Sequence, residues 1–126
     1  MALIDIDHSK AVNDRHSHAV GDAVLRRLAA LMQAEFGADA VLARYGGEEF
    51  VVVLPGCVCA EAIARCERLR RVVKDDLWGR IASSLGPSLS IGIAGAAMHA
   101  DWERLLAAAD HNLYAAKRTG RNRVIG

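Results

Sequence analysis

The sequence predicts a layered α/β sandwich, with helices packed on a sheet that is at least partly antiparallel. Three observations lead there. The chain has 126 residues, 52% of them hydrophobic, which suits one packed core and leaves too little apolar surface for two. Runs of β-compatible residues alternate with runs whose apolar positions recur at helical spacing. A double glycine, Gly46-Gly47, separates two of the β-compatible runs and reads as a hairpin turn built on positive φ angles.

Met1 to Ile6 reads as a strand, with Leu3, Ile4 and Ile6 favouring it and the acids Asp5 and Asp7 at its exit. His8 to His18 is polar without a sustained period, so the pattern assigns no regular element there. A helix is expected from about Gly21 to Phe36, carrying Val24, Leu25, Leu28, Leu31 and Met32, with Gly37 placed to end it. Ala40–Arg44 and Glu49–Leu54 read as the two hairpin strands, and Pro55-Gly56 breaks the second. A basic amphipathic helix follows from Ala60 to about Lys74, with Ile63, Cys66, Leu69 and Val73 on one side. Its arginines, Arg65, Arg68, Arg70 and Arg71, are expected to form a solvated face. Ser88–Ala94 is a strand of small and β-branched residues. Asp101 can cap a last helix holding Leu105, Leu106, Ala109, Leu113 and Ala116, which Gly120 can end, and Val124-Ile125 reads as a short final strand. No repeat, low-complexity stretch or linker divides the chain, so residues 1–126 read as one domain.

Charge excludes several functions. Sixteen Lys and Arg stand against fifteen Asp and Glu, so no global field points to a nucleic-acid partner or a membrane surface. Any polyanion site must be local. Cys57, Cys59 and Cys66 are odd in number and crowded together, which reads as free thiols in a reducing cytoplasm, and C-x-C lacks the spacing of a zinc pair. His8, His16 and His18 cluster without a nearby cysteine. No apolar run reaches membrane-spanning length.

The chemistry gathers at the acids. Asp5 and Asp7 leave the first strand; Glu48 and Glu49 follow the double glycine. Drawing these carboxylates together would be repulsive unless a hard dication, usually magnesium, lay between them and then took phosphate as a further ligand. Acids at strand ends are also often simply solvated, and the residues alone leave both readings open. Side-chain alternation lets at most one of Glu48 and Glu49 face Asp5. Gly46-Gly47 serves either as a turn or as a bare surface against which a bulky ligand can lie. Lys117, Arg118 and Arg121 can grip a polyphosphate or complement a helix C-terminus.

Taken together, four stretches resemble one family. L-I-D-I-D-H-S-K-A-V-N-D from Leu3, with Gly21-Asp22 beyond it, R-Y-G-G-E-E-F from Arg44, S-L-S-I-G-I-A from Ser88 and A-D-H-N-L-Y-A-A-K-R-T-G-R-N from Ala109 are similar to the ordered motifs of GGDEF domains of diguanylate cyclases. The resemblance implies a central, mostly antiparallel sheet of about five strands wrapped by helices, related to nucleotide cyclases and polymerase palms. It implies condensation of two GTP into cyclic di-GMP in a bacterial cytoplasm, by two domains meeting face to face behind an upstream sensory or dimerising domain. Asp5, Glu48 and the carbonyl of Ile6 would hold two magnesium ions (manganese being an alternative), with Glu49 in support. Asn13 and Asp22 would read guanine, and His18 would lie near the substrate. Gly46 and Gly47 would pass the nucleotide, Lys117 and Arg121 would bind its outer phosphates, and Lys10 would stabilise transition-state charge.

Several positions depart from the family pattern. The helix that usually precedes the first strand, with its D-x-L-T-G-L-x-N-R-like motif, has no counterpart, so an apolar patch and reduced stability or an unusual dimer are expected. Ser9 replaces a usual Phe, with lost packing expected. Ser17 replaces a usual Gly, with a strained turn expected. Gly37 and Ala40 occupy the positions of an inhibitory R-x-x-D motif, so no primary product-inhibition site is expected, although Arg68 falls where a secondary contact would lie. These departures keep a rival open: a catalytically silent GTP-binding or protein-interaction module.

Overall fold

The computed structural model describes residues 1–98 and 101–126. Its five-stranded sheet runs β2-β3-β1-β4-β5, with β1 Ala2–Ile6, β2 Val41–Arg44, β3 Glu49–Val53, β4 Leu89–Ile93 and β5 Arg123–Ile125. Neighbours pair antiparallel except β4 with β5, which are parallel. Helices α1 (Ser9–Arg15), α2 (His18–Phe36), α3 (Cys59–Asp75) and α4 (Trp102–Arg118) and 3-10 turns at Trp78–Arg80 and Ala96–Met98 complete it. The mostly antiparallel sheet and wrapping helices match expectation.

Strand alternation builds two cores. Ile4 faces Phe50 and Ile91 across the ladder, and Ala2 faces Val52 and Ile93; this side packs Val24, Leu28 and Met32 of α2 and Cys66, Leu69 and Val73 of α3. The opposite side carries Leu3 together with Ala109 and Leu113 of α4. There α4 lies so close that a Cβ on Gly92 would strike the Leu113 amide nitrogen and the Ala109 carbonyl oxygen. Beside α4, Leu3, Leu106 and the exposed rings of Tyr45 and Trp102 line an open groove of about 450 Å³.

Four sequence expectations need correction. The polar stretch His8–His18 contains α1, and α2 begins at His18 rather than near Gly21. The reason is Ser17: its hydroxyl accepts the Val20 N–H at 3.2 Å, an N-cap. Its φ of -178° is ordinary extended backbone, so the expected strain at Ser17 does not arise. Gly46 and Gly47 do not adopt the positive φ angles expected of the hairpin; those fall at Gly37, Gly56 and Gly120. The arginine face of α3 is solvated only in part: Arg68 and Arg71 are exposed, while Arg65 and Arg70 are half-buried. Arg65 donates to the carbonyls of Glu35 (3.2 Å) and Phe36 (2.8 Å), Arg68 pairs with Glu35 at 3.0 Å, and Arg70 pairs with Glu67 at 2.9 Å. The last turn of α2 has no basic residue of its own, so α3 supplies the cations its carbonyls favour. Trp78 is a core residue outside every pattern: it is buried, and its indole N–H donates to the Val73 carbonyl at 2.6 Å.

Gly92→Ala is expected to destabilise the domain by roughly 3 kcal/mol, the upper end of the overpacking range, because α4 backbone must move. Urea denaturation measures this against Gly86→Ala, where nothing lies within 4 Å of the added methyl and the change should be small.

Candidate functional site

At the end of the sheet where β1 exits and β3 enters, a cleft of about 250 Å³ opens between the glycine turn and helices α1 and α2. Its lining includes Ile6, Asn13, His18, Asp22, Gly47 and Glu48, all singled out from sequence, with Ser9, Val12, Val24, Leu25 and Arg44. Local structure explains the grouping. The short helix α1 carries Asn13 back toward the start of α2, where Gly21 leaves the space that the Asn13 amide fills; a Cβ there would collide with its oxygen. One turn of α2 then presents His18 and Asp22 on the same wall.

Two sets of hydrogen bonds hold the glycine turn. Tyr45 and Gly46 N–H both donate to the Glu49 carbonyl, at 2.8 and 3.2 Å. The Arg44 guanidinium clasps the turn, with Nε 3.1 Å from the Gly46 carbonyl oxygen and Nη2 2.6 Å from that of Gly47. A side chain on Gly47 would meet nothing within 4 Å, so its bare backbone keeps the cleft mouth open. Both readings of the double glycine, a turn and a bare surface, fit this geometry. Arg44 is a residue the sequence reading passed over, although its place just before the glycines offered a signal.

Asp5 lies on the other side of the strand end, toward α4. It is buried, sits opposite Glu49 in the β1–β3 register, and pairs with Lys117 of α4, Nζ to Oδ2 2.8 Å. Burial pushes the Asp5 carboxyl above its ordinary range; Lys117 pulls it back down, and the nearby charges of Glu48 and Glu49 push it up. Glu49 turns its carboxylate along the glycine turn, 3.0 Å from where a Gly46 Cβ would stand. Register therefore puts Glu49 across from Asp5, while Glu48 lines the cleft and its carbonyl accepts the Ile6 N–H at 3.3 Å.

Asp7 behaves differently from the other acids. It is buried, and its carboxylate accepts the hydroxyls of Ser88 and Ser90, each at 2.6 Å, and the Asn122 N–H at 3.0 Å. Those bonds satisfy it without a cation. Lys10 is exposed on α1 and Arg121 is exposed just past α4, and neither is among the residues that line the cleft. His8 and His16 line a separate hollow against Ser84–Ser88, apart from His18. Among the described residues, no three His, Cys, Asp or Glu side chains gather as a metal-holding group. Ser9 lines the cleft where greater bulk was expected, and its buried hydroxyl has no partner among the described residues. No helix of the described residues is long and apolar enough to cross a membrane.

A mostly antiparallel sheet ending in a clasped glycine turn, with acids on both sides of the strand end, defines a GGDEF-type module. The chain belongs to the GGDEF family: the family model described as diguanylate cyclase, GGDEF domain, matches residues 1–123. Diguanylate cyclase DosC of Escherichia coli is 41% identical over 123 residues, covering 97% of this chain and 27% of that protein. The chain thus spans about a quarter of the length of that curated relative. Among solved structures, the active GGEEF domain of a diguanylate cyclase from Vibrio cholerae superposes with a TM-score of 0.89 at 31% identity, over 98% of this chain and 79% of that one. The GGDEF domain of DgcB from Caulobacter crescentus, in complex with c-di-GMP, gives 0.87 at 32% identity, over 98% and 74%.

Lys117→Met is expected to move the Asp5 carboxyl still higher, since it removes a cation that lowers it. The sign for stability follows: a raised carboxylate pKa means the native state holds the proton longer, so stability falls as pH rises through it. The variant should lose more stability than the wild type between acidic and neutral pH. Carboxyl NMR titration reads the first effect and denaturation at several pH values the second.

Proposed function

We propose that this domain condenses two GTP molecules into cyclic di-GMP, releasing two pyrophosphates, with two copies of the domain meeting face to face. The observation that carries the reading is the cleft itself, which joins Asn13, His18 and Asp22 to Gly47 and Glu48 beside the Asp5–Lys117 pair. Asp22 suits the guanine ring N–H and amine as an acceptor, and the Asn13 amide can donate to the purine's acceptors. His18 would lie against the substrate. The bare Gly46-Gly47 backbone lets the nucleotide pass close to the strand end.

A metal there would be held by oxygen donors alone, the carboxylates of Asp5 and Glu48 and the Ile6 carbonyl, with Glu49 in support. Such a set suits magnesium or manganese. The Lys117 ammonium at Asp5 marks the same preference, since a buried carboxylate there already takes a cation. When bound, the metal ions lower the pKa of the attacking hydroxyl and offset charge on the leaving group.

The chain's own residues then divide the work. Glu48 accepts the proton of the 3′-hydroxyl as its oxygen attacks the α-phosphorus of the second GTP. Lys117 exchanges Asp5 for the outer phosphates, where Arg121 joins it, and Lys10 stabilises charge that develops on the transferring group. Each domain holds one GTP, so a single copy binds substrate without completing the ring. An upstream sensory or dimerising segment of a bacterial cytoplasmic protein would bring two copies together.

The test is turnover of GTP with magnesium at high protein concentration. Cyclic di-GMP should rise more steeply than linearly with protein, and Glu48→Gln should lower the rate by about a hundredfold or more, the scale of a lost proton acceptor. Magnesium-dependent GTP binding with no product would instead favour a silent binding module.

A further inference from the structure

We propose that Arg70, a residue of α3 outside the cleft, positions Arg121 and so sets how tightly the domain holds the triphosphate of its nucleotide. The proposal rests on the assignment of Arg121 to the outer phosphates. It starts from the backbone after α4. Gly120, Arg121 and Asn122 have φ angles of 123°, 59° and 46° in succession. Glycine adopts such angles readily and asparagine tolerates them, but arginine does so at a disadvantage. A turn of this kind persists only where its surroundings over-determine it.

The bonds that do so converge on Asn122. Its N–H donates to Asp7 Oδ2 at 3.0 Å, and Asp7 is itself fixed by Ser88 and Ser90. Its side-chain oxygen accepts Arg70 Nη1 at 3.0 Å. Arg70 is held in turn, since its Nε and Nη2 both reach Glu67 Oε2, at 3.1 and 2.9 Å, leaving Nη1 to reach the turn. The Arg121 N–H donates to the Ala116 carbonyl at 3.0 Å, tying the turn to the end of α4. Arg121 itself is exposed, and among the described residues its guanidinium has no ion-pair partner.

Arg70 therefore acts through Asn122. Without it the turn keeps the Asp7 bond and the start of β5 but gains freedom in the asparagine side chain and the preceding residue. Arg121 then samples more directions, and fixing it on a phosphate loses more entropy at the moment of binding. The guanine end of the cleft, on α1 and α2, is untouched.

Calorimetry with GTP and with guanosine, in the presence of magnesium, tests this in a mutant cycle. Arg70→Met should weaken GTP binding about fivefold, a modest coupling, and leave guanosine binding unchanged. Arg121→Met should weaken GTP binding at least as much, and Arg70→Met combined with it should add nothing further. A purely structural role for Arg70 would not produce that non-additivity. Asn122→Gly serves as the second variant: glycine keeps the left-handed turn and the Asp7 bond while removing the acceptor for Arg70, and should reproduce the selective loss. The proposal is overturned if Arg121→Met weakens GTP binding while Arg70→Met and Asn122→Gly leave it within about twofold of wild type, or if the losses multiply independently. If Arg121→Met leaves GTP binding intact, the phosphate assignment fails and the Arg70 proposal goes with it.

Discussion

A strand buried on both faces that ends in acids is the constraint from which this molecule is built. β1 is paired on both sides and buried along its whole length, yet it carries Asp5 and leads into Asp7. Buried carboxylates need hydrogen-bond donors or a counter-charge. Asp7 draws on two serine hydroxyls and a backbone amide, while Asp5 draws on a lysine. Those partners come from β4 and the residue before it, the turn after α4, and α4 itself. The close seat of α4 on Gly92 lets its last turn reach the strand end at all.

Alternation along that strand also separates the two parts of the site. Even positions face α2 and α3, and the side they share continues through Ile6 into the cleft. Odd positions face α4 and lead to Asp5, Glu49 and Lys117. The pair of α2 and α3 is braced at both ends, by Arg65 and Arg68 at Glu35 and Phe36 and by the bidentate Arg27–Asp76 pair, both contacts at 2.7 Å. The exposed ion pairs add little free energy each. Arg65 does more, since it serves helix-end carbonyls and stacks on Phe36, 5.6 Å from the ring centre.

Much of this was legible in the sequence where period and punctuation agreed. The five strands, the hairpin, and Asp101 as a cap, with Oδ1 2.8 Å from the Arg104 N–H, all follow from local pattern. Six cleft residues were reached differently: local pattern alone left Gly47 and Glu48 with two readings, and Ile6, Asn13, His18 and Asp22 were named as site residues only through the resemblance to GGDEF domains. What local pattern missed depends on distant partners. The seven residues of α1 form too short a run to show a period, and their helix stands through packing on α2. The roles of Arg65 and Arg70 are invisible until α3 lies beside the end of α2 and the last turn. Nothing near Asp7 in sequence distinguishes it from Asp5, for its partners are 81, 83 and 115 residues away.

Those separations have a consequence for how the domain comes into being. The parallel pairing of β5 with β4 must wait until α4 has crossed back over the sheet, and contacts this distant in sequence form slowly because a long loop closes first. A chain emerging from the ribosome can fold its hairpin early. It cannot neutralise Asp5 or satisfy Asp7 until Lys117 and Asn122 are also free. Until then the strand at the centre of the sheet carries two uncompensated acids that disfavour its burial. Folding is thereby held back to nearly the whole domain's synthesis, and the nascent chain has no half-built cleft to offer.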